Sequence, residues 1–245
     1  MRRCALLPSL VAAVLAASLA CTKPADRPPA GGSSGPDAPG SAEGGLAAEV
    51  DAPPAPALPS LTTWHLDPEN SSVTFVCKHA MHTKVRGMFQ RPSGTVVLDD
   101  ATPSNSTITA TVDVSTVTTG VEERDTHLKG PDFFAAATHP VITFTSTGVT
   151  RQSAASYTVT GNLTMHGVTK PVTLAVTASP PFQHFGTTRR GIEATTSIRR
   201  IEFGVGVAAW NVAAESGGLL IGDEVAITID AELVLQAAPA SPPPR

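Results

Sequence analysis

Between residues 62 and 236, apolar and polar side chains alternate in short runs. In Val73-Thr74-Phe75-Val76-Cys77-Lys78-His79, one face carries Val73, Phe75, Cys77 and His79. From Thr107 to Val114, Ile108, Ala110, Val112 and Val114 oppose Thr107, Thr109, Thr111 and Asp113. Tyr157, Val159, Leu163 and Met165 share a face against Thr158, Thr160, Asn162 and Thr164, and Val172, Leu174 and Val176 repeat the pattern. The run from Glu224 to Leu235 is the cleanest: Val225, Ile227, Ile229, Leu233 and Leu235 point one way, and Thr228, Asp230 and Glu232 the other. A period of two with one apolar face per run is the signature of antiparallel strands. Strands of this length and number close into a small barrel or stack as a sandwich, and the two read alike in sequence.

One segment interrupts the alternation. Thr119-Gly120-Val121-Glu122 spells a capping box, with Glu122 and Glu123 in the first turn, where the helix dipole favours acids. Gly130-Pro131 stops the helix. A short helix over residues 121–129 is therefore expected between strands.

The ends of the chain are composed differently. Residues 1–20 read as an export signal: Arg2 and Arg3, then an apolar run from Ala5 to Ala20 that ends in small residues. Ala17-Ser18-Leu19-Ala20-Cys21 resembles a bacterial lipoprotein box, although its leucine stands one place late, so Cys21 is the candidate lipidation site. Residues 21–61 form a Pro/Ala/Gly/Ser linker, too poor in apolar surface to offset its ordering entropy, and residues 237–245 are similar. The expected location is the periplasm, with the protein held at the outer membrane by its N-terminal lipid.

The net charge is −4, and no basic block occurs anywhere, which argues against a nucleic-acid partner. Cys77 is the one cysteine inside the alternating region, so no disulfide framework exists. His79 and His82 stand three apart, which puts them on opposite faces of a strand, and no Cys or carboxylate motif accompanies them, so no metal is expected. No nucleophile elbow, phosphate loop or paired-carboxylate arrangement appears, and neither an enzyme nor a cofactor is expected.

Several motifs together carry a resemblance. Trp64-His65-Leu66-Asp67-Pro68 precedes Ser71-Ser72-Val73-Thr74-Phe75, and Val85-Arg86-Gly87-Met88-Phe89 follows with Gly94. Ser115 to Gly120 leads to Arg124-Asp125-Thr126-His127-Leu128, then Asp132-Phe133-Phe134 and His139-Pro140-Val141. Thr160-Gly161-Asn162-Leu163-Thr164-Met165-His166-Gly167 and, later, Arg200 with Phe203-Gly204 complete the series. In this order the motifs resemble the YceI-like, polyisoprenoid-binding family. The resemblance implies a lipocalin-like barrel of about eight antiparallel strands with an apolar cavity for a polyisoprenoid, quinone or other long-chain lipid. It also marks Phe75, Phe89, Val112, Phe133, Phe134, Phe144, Leu163, Phe203 and Leu233 as candidate lining, each of which could equally be ordinary core. Arg124, Asp125 and His127, with His79 and Arg86, are candidates for a ligand head-group contact or for a structural clamp. A ligand-free envelope protein and a hydrolase using His127 and Asp125 stand as alternatives, and a homodimer is an open oligomeric state.

Overall fold

A computed structural model describes residues 60–207, 210–213 and 217–237. The signal segment, Cys21 and nearly all of the linker and tail lie outside the described residues. The strands are β1 (Leu61–Leu66), β2 (Ser72–His79), β3 (Thr83–Gln90), β4 (Ser93–Asp99), β5 (Thr107–Asp113), β6 (Val117–Thr118), β7 (Val141–Arg151), β8 (Ser156–Met165), β9 (Val168–Ala178), β10 (Phe182–His184), β11 (Thr187–Arg199) and β12 (Ile221–Leu235), with one α-helix, α1 (Glu122–Lys129), between β6 and β7. All of the strand pairings are antiparallel.

Eleven of the twelve strand segments make eight staves, and the short β10 pairs with the start of β11. β12 spans 15 residues and pairs along one edge first with β2, at Ser72–His79, and then with β1, at Trp64–Leu66. β1 and β2 are thus one stave broken at a corner, and β3 and β4 are the next, broken at Arg91-Pro92. β5 and β6 form the third, and β7, β8, β9, β11 and β12 complete the ring. Closure comes from β11, which pairs with β9 at Ile192–Thr195 and with β12 from Arg189 to Arg199. The alternation in sequence fits both barrel and sandwich; the β11–β12 ladder decides for a closed antiparallel barrel.

Both breaks have local causes. At the first, Asp67 accepts from the Glu69 N–H and from the Asn70 side chain, each at 3.0 Å. Arg189 ties this corner to the barrel by pairing with Asp67 at 2.8 Å and with Glu232. At the second, Arg91 has φ +55° and Pro92, fully buried, offers no N–H to a ladder.

Two glycines let aromatic rings lie flat on the sheet. A Cβ on Gly87 would sit 2.3 Å from Phe75 Cζ, and one on Gly161 would sit 2.3 Å from Phe144 Cζ. Each ring covers the glycine of the neighbouring stave, which gives the motifs Val85-Arg86-Gly87 and Thr160-Gly161-Asn162 a packing reason.

Candidate ligand-binding cavity

The inward register of each stave is predominantly apolar. β5 contributes Ile108, Ala110 and Val112; β8 contributes Tyr157, Val159, Leu163 and Met165; β12 contributes Val225, Ile227, Ile229, Ala231 and Leu233. These side chains surround a cavity of about 300 Å³. Ile108, Ile227 and Ile229 point inward yet keep accessible surface, as the walls of a hollow interior must. Alternation along a strand says which face is apolar, but not whether facing side chains fill the space between them.

The two ends of the cavity differ. Near α1 a buried cluster closes the barrel: Phe89, Phe133, Phe134, Ile142, Met165, Phe203 and Val205, with Leu128 packed against it. Phe89 and Phe134 meet edge to face with centroids 5.4 Å apart. At the far end Trp64, Leu98 and Leu233 form a smaller cluster with Leu66 and Ile192. Trp64 is fully buried and donates its indole N–H to the Thr62 hydroxyl at 2.8 Å.

Of the residues marked in sequence, Phe75, Phe89, Val112, Phe133, Phe134, Phe144, Leu163 and Leu233 line the cavity. Phe203 does not. β11 ends at Arg199 and a 3-10 turn, Arg200–Phe203, takes the chain out of the inward alternation, so Phe203 is buried within the end cluster instead. His79 shares parity with Val73, Phe75 and Cys77, but it is the last residue of β2 and is exposed. Arg86 is exposed on the outer face of β3. Neither reaches the cavity.

The polar group on α1 is a clamp. The Asp125 carboxylate accepts from the Thr118 hydroxyl at 2.9 Å, the Thr119 N–H at 2.7 Å and the Thr119 hydroxyl at 2.5 Å. Arg124 Nε donates to the Thr119 hydroxyl at 2.7 Å, and Nη2 donates to the Thr119 carbonyl at 3.2 Å. Thr119 is therefore not the N-cap that the capping-box spelling predicts. Val121 takes the N-cap position without a side-chain bond, because Asp125 reaches back from inside the helix and takes both Thr119 donors. Burial raises the Asp125 pKa, but the hydrogen bonds from Thr119 and Thr118 outweigh it and the net shift is downward. α1 is polar on nearly every face, so this clamp, with Leu128 in the cavity wall, holds it across the barrel end. His127 bonds Asp132 at 3.1 Å and stacks edge-on against Phe133 and Trp210. It does not bond Asp125, so the pair expected of a hydrolase is not formed.

The polar wall residues not marked in sequence include Tyr157, Arg200 and Arg190. Tyr157 accepts from Arg151 Nη2 at 3.1 Å. Arg200 is 4% exposed and gives its guanidinium to four carbonyls: Gly222 at 3.0 Å, Val205 at 2.8 Å, Gly206 at 3.0 Å and Ile221 at 2.8 Å. Arg190 lies in the wall at the Trp64 end, its Cζ 5.5 Å from the Trp64 ring. Thr187-Thr188-Arg189-Arg190 reads as a polar run; the usable signal was the parity of Arg190 with Ile192, Ala194 and Ile198. Cys77 also lines the cavity, and burial pushes its thiol pKa up, which keeps it protonated and unreactive. Among the described residues no group of three or more His, Cys, Asp or Glu could hold a metal.

The YceI-like domain model matches residues 64–233. The chain belongs to the YceI-like family. The Protein YceI of Salmonella newport is 35% identical over 138 residues, which cover 56% of this chain and 72% of that one. A UPF0312 protein of Pectobacterium atrosepticum is 34% identical over 138 residues, covering 56% and 71%. Among solved structures, BcnA of Burkholderia cenocepacia superposes with a TM-score of 0.60 at 28% identity, over 68% of this chain and 98% of that one. A polyisoprenoid binding domain from Saccharophagus degradans, implicated in plant cell wall breakdown, superposes with a TM-score of 0.53 at 20% identity, over 71% of this chain and 99% of that one. At that identity the likeness concerns the fold alone.

Proposed function

We propose that this YceI-like barrel binds one long apolar chain, a polyisoprenoid, a quinone tail or a similar lipid, and stores or carries it in the cell envelope. The observation that carries the reading is the cavity of about 300 Å³ walled by apolar side chains from every stave. Family membership and the polyisoprenoid binding domain among the structural neighbours support it. Each CH₂ moved from water into such walls contributes about 0.8 kcal/mol, so chain length dominates affinity. The same wall supports a binding role, because its surface among the described residues is predominantly hydrocarbon. Lipidation of Cys21 and attachment to the outer membrane belong to this proposal, because a carrier of membrane lipids works beside a membrane.

The test is mass spectrometry of the organic extract from the purified full-length protein, with Ala110→Trp as its companion. Ala110 faces the cavity from β5 with accessible surface above it. A tryptophan there fills the space that a chain would occupy. We expect a co-purifying long-chain lipid in the wild type, and at least a tenfold loss in a variant that still melts cooperatively. An extract without any long-chain lipid, together with no uptake of an added polyprenol, would overturn the reading.

A further inference from the structure

We infer that Arg190 is the head-group contact of this cavity, and that its ligand is a lipid with an acidic oxyanion head lying at the Trp64 end. The inference rests on the lipid-binding reading above and adds the chemical class and orientation of the ligand.

The argument begins with the two arginines in the cavity wall. Arg200 is 4% exposed and gives four of its five N–H donors to backbone carbonyls, which fixes it in the barrel end. Arg190 is the opposite case. Among the described residues its side chain has no carboxylate and no hydrogen-bond acceptor, and its Nε is shielded from solvent without a partner. Its one recorded contact is the Trp64 ring, which presents a π face and no lone pair in the plane of the guanidinium. Its neighbour Arg189 draws both nearby carboxylates, Asp67 and Glu232, to the outer side of the stave. β11 alternates, so Arg190 faces inward while Arg189 faces outward.

A guanidinium held in this way keeps its planar fork of N–H donors unpaired at the Trp64 end of the cavity wall. The groups that fit it are carboxylate and phosphate oxygens, bound in bidentate fashion. The rest of the wall gives such a head no reason to lie elsewhere. At the α1 end, Arg124 and Asp125 bond Thr118 and Thr119 away from the cavity wall, and phenylalanines close the barrel. A ligand with its acid at Arg190 would run its chain past Ile192, Ala110, Ile229 and Phe75 toward Leu128.

The experiment measures binding of oleate and oleyl alcohol, which share a chain and differ in the head, to the full-length protein and to Arg190→Met and Arg190→Lys. Methionine keeps the length and the packing under Trp64 without the charge. We expect the wild type to prefer oleate. Arg190→Met should lose roughly 10–100-fold in oleate affinity and leave oleyl alcohol unchanged, since a charge-assisted contact is removed and the apolar wall is kept. Arg190→Lys should retain part of the preference, and a thermal melt of each variant confirms folding. Equal losses for the two probes, or no loss for either, would overturn the inference while leaving the lipid-binding reading in place. Failure of the wild type to bind either probe would overturn that reading, and this inference with it.

Discussion

At Asp125 three hydrogen-bond donors converge on one carboxylate: the Thr119 N–H, the Thr119 hydroxyl and the Thr118 hydroxyl. Burial acts to raise its pKa, but these bonds carry it below the ordinary value. A group whose folded pKa is depressed contributes stability that is complete above its unfolded pKa of about 3.9 and is lost as pH falls through the lower folded value. Asp125→Asn should therefore destabilise the barrel by about 1–2 kcal/mol at pH 7, allowing for solvent screening at this half-buried site. The gap between wild type and variant should narrow between pH 7 and strongly acid pH, as the Asp125 carboxylate is protonated on passing through its lowered folded pKa. Urea melts at the two pH values measure it, and an unchanged gap would show that the charge of Asp125 is irrelevant to the clamp. The motif Arg124-Asp125-Thr126-His127 was legible as a cluster of ionisable groups, but its partners were not. Sequence spacing does not say that Asp125 turns back to Thr119, or that His127 turns to Asp132.

Apart from the strand ends at His79 and Leu235, the elements read from alternation match the inward faces of β2, β5, β8, β9 and β12, because a period of two fixes which side chains share a face. What lay beyond that reading are the places where two segments act as one stave. The corner at Asp67 and the break at Arg91-Pro92 depend on Arg189, Glu232 and a positive φ, and these are tertiary facts. The glycines of the barrel wall are a further case. Gly161 stands in a strand, where glycine is ordinarily unfavourable, and its reason is the Phe144 ring lying over it. Gly161→Ala would put a Cβ 2.3 Å from Phe144 Cζ and 2.6 Å from the Thr145 carbonyl oxygen. The ring has to swing toward the cavity that it lines. We expect a loss of about 1–3 kcal/mol, as for other overpacked sites. At about 2–4 °C per kcal/mol for a domain of this size, differential scanning calorimetry resolves it. A melting temperature unchanged within 1 °C, about the resolution of that conversion, would mean that the ring is free to move and that the glycine has no packing role.

On the scale of the whole molecule, the closed barrel explains how so hollow a domain holds together. The cavity removes packing contacts from its centre, and the ladder closed through β11 and β12 supplies them around the rim together with the two end clusters. On the proposed function, such a domain would exchange lipid only where lipid is present, which makes the leader the complementary half of the proposal. The stretch Ala17 to Ala20 before Cys21 suits signal cleavage and acylation, and a coil of the linker's composition over about 40 residues would span roughly 35 Å. That reach would let the barrel meet a membrane surface without being pressed onto it. One acyl chain gives only marginal, reversible membrane binding, whereas two or more give stable anchoring. Cys21→Ser removes every chain at once and leaves the barrel residues untouched. In a bacterial host, the wild type should sediment with the outer membrane and incorporate radiolabelled palmitate. The variant should move to the soluble periplasmic fraction, keep its melting temperature and retain its lipid in the organic extract. A variant that stays membrane-bound to the same extent would end the lipid-anchor reading, and attention would then pass to the uncleaved apolar run from Ala5 to Ala20 as the attachment.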